Sequence, residues 1–523
     1  MGLVKPSPKS LPIWFWWSLA VILGVSLALR FWGLGRFNTL VFDEVYYVKF
    51  AKNYLSQTPY FDGHPPLGKY VLAIAIWFGN LLPFGRDAIN DKAGLTFSTF
   101  SYRWFNALTG AFIPLIIAGL AYQLTQRRRY ALLAGSFAAL DGMLLVESRY
   151  ALNNTYILIL GLLSLWFLVI AASARNPLYR VGWLTAAGIA FGLGAGIKWN
   201  GLWFLFGAYG LIAIAKLWHW RQTKQSLAET DPAHPTMPRW MLGLARLKIW
   251  HILLYLAVVP FVFYALSWIP HLALCQADPQ GLCRPYVARL ADGTVPPISP
   301  LGLLVELNSQ ILRYHQQVGG NDPTVHPYCS AWFSWLLMLR PVAYFYQVTP
   351  KGAPLPAGQW KIAPAENTVI YDVHSMGNPI LWWLSTAAIV LMAVTLGRFL
   401  MRQFNQETTP PLKASDSFLD LTAIDLGLLI FLLVNYATNL LPWLRVSRCT
   451  FLYHYLPASV FAWMGFAWLC DRWLASRDSQ VQWVTVSLIG VIALAFLFWL
   501  PIYLGLPLDP VSFQWRMWLP TWI

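Results

Sequence analysis

Two adjacent acids, Asp43 and Glu44, are the residues whose type and position most directly suggest chemistry. They lie in the segment VFDEVYYVKFAKNYLSQTPYFDGHPPLGK (Val41–Lys69), which has one apolar run before it and another after it. An acid beside a membrane is costly unless it is paired or has a function. One interpretation is a catalytic carboxylate, because a hydroxyl nucleophile needs a general base. The other is that both acids stabilise the first turn of a helix predicted over Asp43–Leu55.

Further ionisable side chains lie near the same predicted membrane face and are candidates for binding an anionic group. A cation at the outer interface, beside apolar chains, could hold an anionic lipid headgroup or a lipid phosphate. The candidates for binding donor phosphate or substrate are Arg103, Lys198, Arg149, His64, Lys69, Glu147, Arg445, Arg448 and His454. Structural alternatives exist, because cations at span ends can reach lipid headgroups and Glu147 could pair with Arg149.

Membrane helices must position these residues. Of the 523 residues, 57% are hydrophobic and 11% are charged, whereas soluble domains carry about 25% charged residues. The mean hydropathy is +0.50. In such a chain, the net charge of +15 indicates basic cytoplasmic loops and anionic lipid rather than nucleic acid. Membrane lipid is therefore an expected partner, and nucleic acid is not.

The apolar runs predict eleven membrane spans. They are Leu11–Arg30, Tyr102–Leu124, Ala131–Val146, Leu152–Ala171, Val181–Ile197, Leu202–Ile214, Trp250–Trp268, Pro379–Leu400, Leu421–Leu441, Cys449–Cys470 and Trp483–Leu504. The shorter apolar segment Gly68–Leu82 is predicted to be a re-entrant or interfacial helix, with a true span as the alternative. Counting it as a span would put the basic run Arg127–Arg129 outside, against the positive-inside rule. The N-terminus is expected in the cytoplasm.

The predicted spans divide the chain into three parts. Residues 1–270 are expected to form an N-terminal transmembrane module, whose first outer loop, 31–101, carries the two acids. Residues 271–378 form a large outer loop, and residues 379–523 form a C-terminal module of four helices.

The five cysteines give little indication of a metal site. Cys275 and Cys283 lie in the large loop and could form a disulfide if that loop faces an oxidising compartment, or remain thiols. Cys449 and Cys470, at the edges of an apolar run, are expected to be small core residues. No spacing resembles a zinc site, so neither a metal nor another cofactor is expected.

Several segments resemble the protein O-mannosyltransferases, the dolichyl-phosphate-mannose–protein mannosyltransferase family. In chain order they are FDEVYYVKFAKNYLSQTPYFDGHPPLGK, SYRWFNALTGA, LDGMLLVESRYALNNTYIL, GIKWNGLWF, WFSWLLMLRPVAYFY, MGNPILWW and YHYLPA. The resemblance implies a GT-C fold, which is an all-α polytopic membrane protein. About eleven transmembrane helices and interfacial helices in the extracytoplasmic loops are expected. In that family the acidic pair of the first loop belongs to the active site, and Asp43 matches its aspartate.

This resemblance implies transfer of mannose from polyprenyl-phosphate-mannose to Ser or Thr hydroxyls of exported proteins. The reaction would invert the sugar at the extracytoplasmic face of the plasma membrane, with Asp43 as general base and Glu44 orienting it. The large loop is too short for the MIR domain of eukaryotic members, so the chain resembles the bacterial type. Two alternatives are a GT-C enzyme that glycosylates a lipid or cell-wall glycan, and a transporter of lipid-linked sugar, which would need ionisable residues in mid-span.

Overall fold

The apolar runs fold into helices, because a bilayer offers the backbone no other hydrogen-bond partners. The computed structural model describes residues 11–84, 89–90, 97–226, 237–320, 324–353, 363–404 and 421–522. Its helices are α1 (Ile13–Phe31), α2 (Glu44–Leu55), α3 (Leu67–Gly79), α4 (Thr99–Thr125), α5 (Arg128–Ala139), α6 (Gly142–Arg149), α7 (Asn154–Ser173), α8 (Pro177–Ile197), α9 (Leu202–Ser226), α10 (Arg239–Ala245), α11 (Ile249–Leu253), α12 (Val259–Ser267), α13 (Ile269–Gln276), α14 (Pro300–Gln317), α15 (Trp332–Trp335), α16 (Pro379–Phe404), α17 (Ala423–Leu440), α18 (Leu456–Leu474), α19 (Ser479–Leu504) and α20 (Pro510–Gln514).

Within this described part, nine helical stretches are long and apolar enough to cross a membrane. The bent pair α5–α6 makes a tenth if it is counted as one span. The remaining predicted span, Cys449–Cys470, corresponds to α18, which is buried along almost its whole length and is not among the nine. The segment predicted as interfacial, Gly68–Leu82, is α3 with 13 residues. At 1.5 Å per residue it is about 20 Å long, too short for the roughly 30 Å hydrocarbon core.

The predicted span Ala131–Val146 is broken rather than continuous. Helices α5 and α6 meet at an angle of 59°. Asp141 lies at the break, and its side chain accepts a hydrogen bond from Leu144 N at 2.8 Å, which makes it the N-cap of α6. A capping acid satisfies one of the free amide groups of the new helix, so the chain stops one helix and starts another inside the bundle.

The large loop is more structured than the sequence indicates. The loop contains α14, an amphipathic helix whose buried side chains include Leu303, Leu307 and Ile311. These pack with Trp268 and Leu272 in a small separate cluster. Two unpredicted strands, β3 (Val342–Pro350) and β4 (Thr368–Ser375), pair antiparallel. A pair of short strands, β1 (Ile89–Asn90) and β2 (Phe97–Ser98), precedes α4.

Two disulfides lie in and beside this loop. Cys275 pairs with Cys283, which realises one of the two options for these residues. Cys329 pairs with Cys449, so the expectation that Cys449 is an unpaired core residue was wrong. A distant loop supplies its partner, which no local pattern indicates. Cys470 is a buried free thiol.

The opposite end of the bundle is held by ion pairs between predicted cytoplasmic loops. Arg127 forms a bidentate pair with Asp425 at the start of α17, at 2.7 and 3.1 Å. Arg129 binds Asp471 near the end of α18 at 2.7 Å. These contacts join the α4–α5 turn to the C-terminal helices. One continuous apolar core includes residues from all three predicted parts of the chain.

Candidate active site

Asp43 lies at the turn that enters α2. The residue before it, Phe42, has a left-handed backbone with a φ of 49°, which a bulky residue adopts only when its surroundings enforce it. The Phe42 ring stacks on Tyr344 at a centroid distance of 4.3 Å. Asp43 occupies the N-cap position, yet its side chain makes no capping hydrogen bond. The carboxylate is hydrogen-bonded to Tyr453 instead, so the helix-capping interpretation does not account for it.

Lys198 shares these surroundings. It ends α8 in an extended conformation, and its Nζ lies 5.8 Å from the ring centroid of Tyr47 and 5.9 Å from that of Tyr453. Burial raises the pKa of Asp43 to about 6, although Lys198 and Tyr453 act to lower it. Burial lowers the pKa of Lys198 to about 8, although Asp43 acts to raise it. Both groups are therefore charged at pH 7, and each titrates close to neutrality.

Glu147 is connected to Lys198 through the side chain of Asn154. Lys198 Nζ donates to Asn154 Oδ1 at 3.2 Å, and Asn154 Nδ2 donates to Glu147 Oε2 at 2.9 Å. The other Glu147 oxygen accepts hydrogen bonds from Tyr344 and, at 3.3 Å, from Ser375. Glu147 is fully buried. It therefore orients the Lys198 environment rather than contacting substrate directly, and it does not pair with Arg149.

Arg448 is the second cation that faces this region. Its Nη1 donates to Cys449 O at 2.9 Å, and its charge acts on Tyr47, Tyr453 and Lys198. Among the described residues, no carboxylate lies within 4.0 Å of either Lys198 or Arg448. Two partly or wholly buried cations thus form no close ion pair with a described acid, which favours binding of an anion between them.

Glu44 and Arg103 are occupied elsewhere, which corrects two sequence predictions. Glu44 accepts from Arg103 Nε at 2.9 Å and Nη2 at 2.7 Å, and both side chains are buried. The remaining Arg103 donors bind the carbonyls of Leu34, Phe37 and Thr39. All five guanidinium hydrogens are therefore used, so Arg103 has no donor left for a phosphate.

Arg149 is also structural rather than a phosphate ligand. Its Nη1 donates to the carbonyls of Leu29, Arg30 and Trp32 at 2.6 to 3.0 Å, and its Nη2 donates to Gly33 O at 3.2 Å. These carbonyls belong to the C-terminal end of α1 and the turn after it. A cation at a helix C-terminus compensates the negative end of the helix dipole, so Arg149 anchors α1.

Lys69 fixes the loop that contains His64. Its ammonium group is fully buried, forms an ion pair with Asp62 and donates to the carbonyls of His64 at 3.2 Å and Pro65 at 2.5 Å. Lys69 is therefore a loop anchor, which corrects its assignment as a substrate ligand. His64 itself faces the site, and burial holds the pKa of His64 well below its ordinary value, with help from the charge of Lys198.

His315 is a site residue that sequence reasoning missed. It lies in the last turn of α14, with its ring centroid 5.3 Å from His64 and 6.3 Å from Trp199. It hydrogen-bonds the backbone of Gly63, and burial lowers its pKa to about 4. The amphipathic pattern of α14 predicts a helix, but nothing local indicates that this helix reaches the first loop. Tyr47 and Tyr453 were missed as well, although both stand in quoted motifs.

The remaining candidates lie aside from Asp43. His454 Nδ1 interacts with the Phe451 backbone at 3.0 Å, and its ring packs against Trp443 at 4.5 Å. It is a packing residue, and its neighbour Tyr453 is the one that reaches the site. Arg445 is exposed at the end of a 3₁₀ turn.

One group of described residues has metal-ligand types close together: His271, Cys275 and Cys283. The two sulfurs form a disulfide, whereas a metal needs thiolates. These residues do not fit a metal site.

Two family models cover most of the chain in sequence order. Residues 20–275 match the model described as dolichyl-phosphate-mannose-protein mannosyltransferase. Residues 301–522 match the C-terminal region of four transmembrane segments of protein O-mannosyltransferase. The chain belongs to the protein O-mannosyltransferase family. It is a membrane glycosyltransferase, as the resemblance predicted.

Relatives of full length support this membership. The polyprenol-phosphate-mannose–protein mannosyltransferase of Mycolicibacterium smegmatis is 23% identical, covering 97% of this chain and 93% of the relative. The protein of the same name from Corynebacterium glutamicum is 23% identical, covering 100% of this chain and 96% of the relative. The S. cerevisiae Pmt1–Pmt2 complex bound to the sugar donor has a TM-score of 0.74 at 16% identity, covering 98% of this chain and 93% of that chain. The predicted GT-C fold and bacterial type are confirmed.

Proposed function

We propose that this protein O-mannosyltransferase transfers mannose from polyprenyl-phosphate-mannose to a Ser or Thr hydroxyl of an exported protein. The names of the bacterial relatives support a polyprenyl-linked donor and a protein acceptor. The observation that carries the proposal is a buried carboxylate, Asp43, whose charge acts on Lys198, together with a second cation, Arg448, whose charge also acts on Lys198. Neither cation forms an ion pair within 4.0 Å with an acid of the described residues.

The two cations suit the phosphate of the donor. A lipid phosphate at this position would supply the negative charge that Lys198 and Arg448 lack. Charge-assisted hydrogen bonds to phosphate are about twice as strong as neutral ones, and a guanidinium can bind two phosphate oxygens at once. As the sugar departs, the phosphate gains charge, so the same contacts strengthen in the transition state.

Asp43 would act as the general base. The hydroxyl oxygen of the acceptor attacks C1 of mannose while its proton passes to the Asp43 carboxylate. The bond between C1 and the phosphate oxygen breaks, and the lipid phosphate leaves with the bonding electrons. With a pKa of about 6, Asp43 is ionised at pH 7 yet more basic than an exposed aspartate, which suits proton abstraction near neutrality.

A single displacement of this kind inverts the anomeric centre. Retaining hydrolases use a second carboxyl group about 5 Å from the first as a nucleophile. Two nearby acids already have partners: Glu44 is held by Arg103, and Glu147 accepts hydrogen bonds from Tyr344, Ser375 and Asn154. This leaves one working carboxylate, which favours inversion.

The extracytoplasmic side is proposed for the site. Both disulfides lie in or beside the large loop, at the end of the bundle that holds Asp43, and disulfides persist in oxidising compartments. The basic run Arg127–Arg129 lies at the other end, as the positive-inside rule expects for cytoplasmic loops. Because α1 separates the N-terminus from the Asp43 loop, the N-terminus is proposed to be cytoplasmic. The plasma membrane is proposed as the membrane, since the similar full-length proteins are bacterial.

Transfer of labelled mannose tests the proposal. Purified protein in liposomes is incubated with radiolabelled polyprenyl-phosphate-mannose and a peptide that contains Ser and Thr. Asp43→Asn keeps the size of the side chain but cannot accept the proton, so transfer should fall by a factor of about 10²–10⁴ while donor binding persists. Asp292→Asn, an exposed acid of the large loop, is the matched control and should transfer like wild type.

Each outcome has a defined meaning. Near-normal transfer by Asp43→Asn would remove Asp43 from the mechanism. Transfer to the peptide after all its Ser and Thr residues are replaced by Ala would contradict a hydroxyl acceptor. A wild-type protein that moves the labelled donor across the bilayer without forming glycopeptide would favour the transporter alternative.

A further inference from the structure

The large loop is covalently joined to the loop before α18, directly beside Arg448. Cys329 and Cys449, 120 residues apart in sequence, form a disulfide with their Cα atoms 5.2 Å apart, and both are buried. Hydrogen bonds reinforce the joint, since Ser330 N donates to Thr450 O at 2.8 Å and Thr450 Oγ1 donates to Ser330 O at 2.7 Å.

A second contact runs along the other side of the same segment. Cys449 N donates to Gly319 O at 3.0 Å, and Gly320 forms an antiparallel bridge with Arg448. Gly319 follows the end of α14, the helix that carries His315. We use the term loop clamp for these contacts, which join residues 319–320 and 329–330 to residues 448–450. The clamp thus holds the end of α14 and Arg448 against each other.

The position of Arg448 depends on this clamp. Its Nη1 donates a hydrogen bond to the carbonyl of Cys449, the cross-linked residue itself. Tyr47, Tyr314 and Tyr453 also lie near it, and a neutral tyrosine offers no ion pair. A long cationic side chain on a loop has many rotamers, so a fixed backbone is needed to keep its charge in one place.

We infer that the Cys329–Cys449 disulfide is a positioning element of the donor-phosphate site and acts by holding Arg448 where the phosphate of a lipid-linked donor lies. This inference rests on the proposed function. Asp43 and Lys198 are placed by α2 and by the α8–α9 turn, which do not belong to the clamp. Loss of the disulfide should therefore weaken the contacts to the donor phosphate and leave Asp43, the general base, in place.

Replacing both cysteines tests this separation. C329A/C449A keeps the positions apolar and buried, and its KM for polyprenyl-phosphate-mannose should rise by a factor of about 10–100 because one contact is misplaced. Its kcat at saturating donor should fall as well, because the contacts to the phosphate strengthen as the leaving group gains charge. The acidic pH at which transfer is lost, which Asp43 sets, should not move. The matched control is C275A/C283A, since that disulfide closes an eight-residue separation within a separate apolar cluster, and its KM should not change.

A coupling measurement distinguishes positioning from simple stabilisation. If the disulfide acts through Arg448, R448Q should weaken donor binding in the wild-type background and have little further effect in C329A/C449A, because interacting sites are not additive. Fully additive losses, or a lowered melting temperature with an unchanged donor KM, would overturn the inference.

Direct binding of polyprenyl phosphate, measured by native mass spectrometry, is a readout that does not need transfer. If wild type forms no glycopeptide, the proposed function fails. The inference survives only if polyprenyl phosphate still binds and C329A/C449A weakens that binding; unchanged binding overturns it. If C329A/C449A does not fold, the same binding measurement is made on C275A/C283A protein before and after reduction by dithiothreitol, because Cys329–Cys449 is then the disulfide that can be reduced. The same two outcomes apply.

Discussion

Substituting Glu44 should destabilise the folded protein, whereas substituting its neighbour Asp43 should not. In wild type, Glu44 Oε1 accepts from Arg103 Nε and Ala151 N, both at 2.9 Å. Glu44 Oε2 accepts from Arg103 Nη2 at 2.7 Å and Val41 N at 2.8 Å. Glu44→Gln replaces one of these oxygens with an NH₂ group. Whichever way the new amide is oriented, its NH₂ group then faces two N–H donors and can accept from neither. The guanidinium of Arg103 is left buried without a counter-charge.

The expected loss is large. Removing one partner of a buried ion pair costs about 3–5 kcal/mol, which at 1.4 kcal/mol per factor of ten raises the unfolded-to-folded ratio by roughly a hundred- to a few-thousand-fold. Asp43→Asn should do the reverse. The pKa of Asp43 is raised in the folded protein, so the ionised group destabilises the fold above that pKa, and its neutral replacement removes this effect.

The assay is thermal unfolding of both variants, purified in the same detergent at pH 7.5, followed by tryptophan fluorescence. Glu44→Gln should melt well below wild type or fail to accumulate, whereas Asp43→Asn should melt at or above the wild-type temperature. A Glu44→Gln protein that melts like wild type but transfers no mannose would refute the reasoning. Glu44 would then act in catalysis and not in stabilising the fold around the site.

Three further predictions concern pH and topology. Transfer measured as kcat/KM should rise through about pH 6 as Asp43 loses its proton and fall through about pH 8 as Lys198 loses its proton. Lys198→Arg should move only the alkaline limb of this profile to higher pH, because arginine stays protonated. An alkaline limb that does not move would exclude Lys198 as its origin. Tyr453→Phe removes the hydrogen bond that lowers the Asp43 pKa, so the acid limb should shift to higher pH; a shift to lower pH would contradict that contact. A cysteine placed at Thr521 should react with a membrane-impermeant reagent added outside intact cells. A cysteine placed at Ser7, which lies outside the described residues, should not react. Labelling of both positions from one side would contradict the predicted count of eleven spans.

The sequence predicted what depends on composition and local spacing. Long apolar runs predicted the helices, because the bilayer leaves a spanning backbone few alternatives. Asp43 and Lys198 were proposed because each charge stands at the end of an apolar run, and the structure brings the two into one region. The break at Asp141 was missed, although Asp before Gly and an apolar segment is a recognisable helix start.

The sequence did not indicate the hydrogen-bond partners of the arginines. Arg103 and Arg149 look alike in sequence to Arg448, since each is a cation near the same membrane face. Arg103 meets a carboxylate 59 residues away and Arg149 meets carbonyls more than 110 residues away, whereas Arg448 meets no described acid. Such pairings are set by how the helices assemble, which no local pattern contains. His315 escaped for the same reason, because α14 reaches the first loop only in three dimensions.

The two disulfides also impose an order on synthesis. Cys275 and Cys283 emerge eight residues apart and can pair before the C-terminal helices exist. Cys329 must wait for Cys449, 120 residues later, which takes roughly 6–24 s at about 5–20 residues per second. During that interval a free thiol in either of the first two cysteines would be a competing partner for Cys329. Early closure of the short disulfide removes both competitors, so a single C283A substitution should impair maturation more than C275A/C283A does.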